Sequence, residues 1–450
     1  MSKETSRRNI LKSVASAGAA LPLLSSEVAA AQPTCRTATA TLPADAWPMI
    51  GHDAGRTYHN PGTSGPQTGV SERWAASIST REFPPTVADG RAYIGGASLR
   101  ALDIDDGSQT WARSPPNCRY TAPTIGPEAV YSAVTNQDDG ERNVTIQAFD
   151  AADGTRRWAT DPLVEGDSVA ASAPALVDGM IFGLVRSGQE RFFYAVSLDS
   201  RAVEWRHTVA EPVKEFAVTD GTLVYAIEEQ VRAVSTTDDT VQWAVNSPPV
   251  QGLAAASGTV VVVSGDSLTA LATEDGTERW RSELEPIVEP GFEGSNRFSQ
   301  PAIADGSVII GTASSLLPRV IEEGGATLYK RDLVTGDRQE TRAAVLRPTV
   351  PDDFDFFNEI PSVSYGWGRP AVSSDTIFVP QYGSIDGGSG FRSDQSGLVA
   401  LDRETFEVQW TSTDVSPVPV IVAEDRLFAM STRSYESFLT MLEEPATNDT

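Results

Sequence analysis

Lysine is almost missing from this chain. Only Lys3, Lys12, Lys214 and Lys330 occur among 35 basic residues, against 61 acidic ones, for a net charge of −26. A field of that sign repels phosphate backbones, which excludes nucleic acid as a partner. The acids are spread along the whole length. Such dispersal suits molar salt, where the Debye length falls to about 3 Å and self-repulsion is screened. A halophilic source, an archaeon, is the expectation, and the acidity is not read as a binding site.

Histidine and cysteine are scarce as well. With only His52, His59 and His207, a Ser-His-Asp triad has little to draw on. No G-x-S-x-G, P-loop or CxxC motif occurs either. His52 and His59 lack helical H-E-x-x-H spacing and a nearby third ligand, so they are read as part of an arm hydrogen-bonded to the main body. His207 has no evident partner. Asp103, Asp105 and Asp106 before Gly107 come nearest to a calcium loop, but the D-x-D-x-D-G spacing is absent and hairpin chemistry accounts for them. Cys35 and Cys118 form a candidate disulfide tying the arm to the body, with two free thiols left open as the alternative.

No segment past the N-terminus reaches 18 apolar residues, so no transmembrane span is expected in the mature chain. Residues 1–31 read as a twin-arginine export signal: Ser6-Arg7-Arg8-Asn9-Ile10-Leu11-Lys12, a short apolar stretch, then the small residues Ala29-Ala30-Ala31. The protein is therefore expected to act outside the cytoplasmic membrane, extracellularly or at the cell surface. A lipid anchor at Cys35 is disfavoured, because Thr34 fits a lipobox badly. Asn143-Val144-Thr145 and Asn448-Asp449-Thr450 are N-glycosylation triplets.

What is present is a repeat. The phrase A-φ-D-x-x-(D/T)-G-x-x-x-W is clear at Ala101–Trp111, Ala148–Trp158 and Ala270–Trp280, and worn at Ala195–Trp205, Ala233–Trp243 and Ala400–Trp410. At Tyr329–Glu340 the turn survives, with Glu340 where Trp would stand. Apolar alternation is strand, Asp-Gly supplies a tight hairpin, and the return strand ends in an indole that wedges between sheets. A second hairpin phrase precedes each, as at Pro85–Tyr93, Pro123–Tyr131, Pro174–Phe182, Pro301–Ile309 and Pro370–Phe378. Two hairpins per unit make a four-stranded antiparallel blade, and blades in series make a propeller. The eighth unit stops before its G-x-x-x-W, and the missing half appears at Gly69-Val70-Ser71-Glu72-Arg73-Trp74. The expected fold is thus all-β, an eight-bladed β-propeller over 70–442 whose last blade is closed by the N-terminal strand. An extended arm over 32–69 precedes it and a tail over 443–450 follows.

This phrase resembles the repeat of PQQ-like propellers, which include quinoprotein alcohol dehydrogenases and the BamB-type assembly lipoprotein. Trp47-Pro48-Met49-Ile50-Gly51-His52-Asp53 resembles the W-P-x-x-G-x-D lead-in of such propellers. The dehydrogenase branch would imply PQQ, a calcium ion, a catalytic aspartate, a tryptophan floor and a disulfide between adjacent cysteines. No adjacent cysteine pair exists and no calcium-binding or catalytic segment matches. No cofactor and no catalytic residue is therefore expected, and the alternative is a PQQ- and calcium-dependent dehydrogenase using the central funnel.

The repeats swell over blades six and seven. Insertions fall between Arg281 and Ser299, Thr312 and Thr327, Ala343 and Gly368, and Tyr382 and Ser396, all on one face. They carry Phe354, Phe356, Phe357, Tyr365 and Trp367, with Asp352, Asp353, Asp355 and Arg369. Aromatics on long loops of a rigid scaffold make a recognition surface. The reading is a monomeric, non-catalytic scaffold binding an envelope protein or another macromolecule there, with a polysaccharide-binding module as a further alternative.

Overall fold

The structure is a computed structural model and describes residues 41–79, 82–138, 141–284, 296–315, 326–346, 362–386, 392–394, 396–414, 417–433 and 436–446. These residues form eight antiparallel blades and, among them, no helix. Blade one consists of Thr86–Ala88, Arg91–Ile94, Leu99–Asp103 and Gln109–Arg113, paired in that order. Blades two to seven follow at 118–159, 169–208, 215–246, 250–283, 296–343 and 362–412. Blade eight takes three strands from 417–443 and its fourth, Ser71–Ile78, from the other end of the chain. In that closure Trp74 faces Met441 and Ala76 faces Leu439. Two sheet edges that would otherwise lie open are thereby paired with each other.

The motif residues explain the ring. In every full copy the leading alanine pairs directly with the terminal tryptophan, as Ala101 does with Trp111 and Ala270 with Trp280. A bulge follows at once, which tilts the indole out of its own sheet. Alanine there leaves room for the ring. The indole then reaches the hairpin turn of the next blade: Nε1 of Trp74, Trp111, Trp243 and Trp280 donates to the carbonyls of Ile104, Ala151, Thr273 and Leu333 at 2.8–2.9 Å. The turn glycine lies flat under that ring. A Cβ on Gly276 would fall 2.7 Å from Trp243, and one on Gly336 would fall 2.5 Å from Trp280. Gly276 also holds φ at +72°, so two constraints select glycine there.

Where the motif is worn, other groups replace this clamp. The turn after Trp205 has no glycine, and the indole Nε1 is buried without a partner. His207 bridges the two blades instead, with Nδ1 2.7 Å from Asp239 Oδ1 and Nε2 3.0 Å from the Tyr225 hydroxyl. The histidine that looked partnerless in sequence is the joint between blades three and four. Between blades six and seven, Glu340 pairs with Lys330 where Trp and Ala would stand. Lys330 Nζ donates to the Arg403 carbonyl at 2.5 Å, and Arg342 donates through Nε and Nη2 to the Phe406 carbonyl.

Blades six and seven are further joined by pairing of Ala313, Ser314 and Ser315 with Gly366, Tyr365 and Ser364. The two blades become one eleven-stranded sheet. The sequence shows the swelling here but not this seam.

Gly276→Ala and Gly221→Ala both carry about 1 kcal/mol of left-handed strain, since Gly221 has φ +71° but open space around it. Only Gly276→Ala drives a methyl into Trp243. Its denaturation midpoint should fall well below that of Gly221→Ala, and Trp243→Ala should cost about 3–5 kcal/mol. Equal midpoints for the two glycine variants would refute the clamp.

Candidate functional site

The arm ahead of the closing strand crosses the channel at the axis of the ring. Its backbone carbonyls accept from the innermost strands in turn: Trp47 from Val87, Pro48 from Ile125, Ala54 from Val218, Gly55 from Ala255, Thr57 from Ile303, and Tyr58 from Val372. Asp45 accepts from Glu424 in blade eight. These amides sit at equivalent repeat positions on free inner edges, so the arm satisfies donors that the blades cannot satisfy among themselves. Asn60 is fully buried, and its Nδ2 lies 2.9–3.0 Å from the carbonyls of Asp45, Ala46 and Val422. His59 forms a bridge to Val372, so both the hydrogen-bonded arm and the histidine within it are seen directly. Because every contact lies near the turn between the first two strands of a blade, the arm floors that end of the channel.

Above this floor, charged side chains from distant parts of the chain converge. Arg56 rises from the arm, is 9% exposed, donates Nη1 to the Ile50 carbonyl at 2.9 Å and lies over the Phe216 ring. Arg369, at the start of the inner strand of blade seven, donates Nη1 to the Tyr58 hydroxyl at 2.8 Å. Glu215 of blade four accepts from Gln300 Nε2 at 2.8 Å. Burial pushes the Glu215 carboxyl up, against the opposing pull of Arg56 and Arg369. Burial likewise lowers Arg56 and raises the Tyr382 phenol beside Arg369. The result is two guanidinium groups and the Glu215 carboxylate near the axis, with Asp53 also acting on Arg56. Arg56 and Glu215 carried no signal in the sequence, because nothing in a repeat marks a group that acts only at the centre of the ring.

The walls around this mouth differ in height. The middle hairpins of blades two and three extend to Asp138–Glu141 and Ser187–Glu190, whereas blade one turns after Ile94, blade four after Ala226 and blade five after Ser264. Strands Ser307–Ser315 and Thr376–Asp386 raise blades six and seven, and blade eight rises to Arg433–Glu436. Among the described residues a trough therefore runs from blade one across the axis to blades four and five.

Of the sequence-derived surface, Phe354, Phe356 and Phe357 lie outside the described residues. Tyr365 pairs with Ser314 and Gly383 in the seam between blades six and seven. Trp367 is 1% exposed, with its Cβ against Gly311. That corrects the expectation of an exposed aromatic: the indole fills the joint where two blades fuse. Arg369 faces the axis instead of the loops. Cys35 lies outside the described residues, and Cys118 Sγ lies 3.3 Å from Asn136 Oδ1 on the wall of a cavity of about 430 Å³ between blades two and three. Among the described residues no three His, Cys, Asp or Glu side chains gather as a metal-holding group.

Burial lowers His59 below its ordinary 6.5, outweighing the opposing effect of Asp305. The folded arm therefore favours neutral His59. Its contribution is complete above about pH 6.5 and is lost as pH falls through the depressed folded value. Melting temperature should drop more between pH 7.5 and 5.5 for the wild type than for His59→Asn. Parallel pH profiles would exclude this role.

The family model described as outer membrane protein assembly factor BamB matches residues 65–227, 142–258 and 194–440. Among solved structures, BamB from Moraxella catarrhalis aligns at 12% identity and TM-score 0.50, covering 85% of this chain and 100% of that one. The computationally designed Ika8 protein aligns at 12% and 0.52, covering 84% and 98%. The C-terminal WD40 domain of Sif2 aligns at 10% and 0.51, covering 84% and 99%. At such identities these neighbours speak for the fold alone. No curated protein sequence matches the chain.

Proposed function

The chain belongs to the family of the outer membrane protein assembly factor BamB, and from that premise we propose that it is a non-catalytic scaffold. It acts outside the cytoplasmic membrane after twin-arginine export and holds a protein partner on the raised face of blades six and seven. The supporting observation is the seam from Ala313 to Gly366, which joins the two blades with the longest insertions in sequence into one eleven-stranded sheet. A surface that binds without reacting needs a support that keeps its loops in register, and paired backbone supplies it.

The charge balance bears on where such a partner is met. With a net charge of −26, association at low salt is governed by long-range repulsion from other acidic envelope proteins. In molar salt that repulsion vanishes and short-range apolar contact decides. The aromatic residues Phe354, Phe356 and Phe357 suit that regime.

Capture of envelope proteins at high salt should recover a partner with the wild type and lose it when Phe354, Phe356 and Phe357 are replaced together by Ser, with the melting temperature unchanged. Retention of the same partner by the triple variant would overturn the assignment of this face. Dye-linked alcohol oxidation after addition of PQQ and Ca²⁺ would overturn the non-catalytic reading itself, and specific retention on an envelope polysaccharide would replace the protein partner.

A further inference from the structure

We propose that the mouth of the channel is a carboxylate-binding site formed by Arg56, Arg369 and the Tyr58 hydroxyl. Two guanidinium groups stand there with one carboxylate, Glu215, within electrostatic range of both. Asp53 acts on Arg56 as well, which leaves Arg369 as the group that calls for an anion. Arg369 uses Nη1 on Tyr58, yet its Nε is buried and has no partner among the described residues. A buried guanidinium donor without an acceptor is costly, and its fork of N–H groups matches the two oxygens of a carboxylate.

The same groups define the ligand's charge and route. A chain of net charge −26 disfavours a dianion such as phosphate, which the surrounding field repels more strongly than a monocarboxylate. Arg369, Glu215, Gln300 and Tyr382 are all partly exposed, so solvent reaches the site. The trough between the tall blades two and three and the tall blades six to eight gives an extended chain a path over the axis. Glu215 acts as the internal competitor through its electrostatic attraction for both arginines. Arg56, Tyr58 and Glu215 lie outside the inserted segments of blades six and seven in sequence, so loss of the envelope partner would leave the site standing.

Calorimetric titration of the full chain tests it with three probes: acetyl-tetraalanine with a free C-terminal carboxylate, the same peptide as its C-terminal amide, and sodium acetate. The free-acid peptide should bind and the amide should not. Acetate binding as tightly as the peptide would assign the site to small organic acids, while acetate binding at least tenfold more weakly would assign it to a chain end lying in the trough. Arg369→Gln should weaken the carboxylate at least tenfold. Glu215→Gln should tighten it severalfold by removing the competitor, an effect opposite in sign to any loss of folding. Equal binding of acid and amide, no binding of either, or a Glu215→Gln variant no tighter than the wild type would overturn the proposal.

Discussion

Pairing of Ser71–Ile78 with Glu436–Glu443 is the constraint on which the ring depends. A propeller whose blades all came from consecutive residues would meet itself at two unpaired strand edges held only by side chains. Here backbone hydrogen bonds lock the first strand to the last three. This arrangement also fixes where the arm begins. The residues before Ser71 start from the outermost position of blade eight, and Trp410 Nε1 donates to the Pro66 carbonyl at 3.2 Å there, in the place where another blade would offer a turn. From that point the arm passes inward to the axis, so closure and channel floor are two ends of one segment.

The joints around the ring are not equivalent. Four of the eight are an indole lying on a glycine turn, a contact of large area with one directed hydrogen bond. The joint between blades three and four relies on a histidine held by a carboxylate and a phenol, and that between six and seven on Lys330 and Arg342 reaching backbone carbonyls. Arginine and lysine heads binding carbonyls keep their charge and bring water with them, so this second type of joint is more polar than the indole clamp. It is also where the added strand pairing lies, which compensates locally for the missing tryptophan.

Much of this was legible in the sequence because the repeat puts chemically distinctive residues at fixed offsets. Ala, Asp-Gly and Trp each answer a separate steric demand, and the unmatched half-repeats at Trp74 and Leu439 revealed the closure. The arm's course was not legible. It is held mainly by carbonyls accepting from amides, a bond any residue can make, so no side-chain pattern records it. The axial cluster was hidden for a different reason: Tyr58 and Arg369 meet across 311 residues of chain, and only ring closure makes them neighbours. Trp367 was misjudged because its burial depends on Gly311 in another blade. A tryptophan among inserted residues looks exposed until the partner glycine is known.

The arm's passage beneath Arg56 closes one end of the ring's axis. A hollow open at both ends would let a solute drift through, and the two faces would sample it alike. With Trp47, Tyr58 and Asn60 packed across one end, passage from face to face is blocked there, and the two faces of the ring become chemically distinct surfaces.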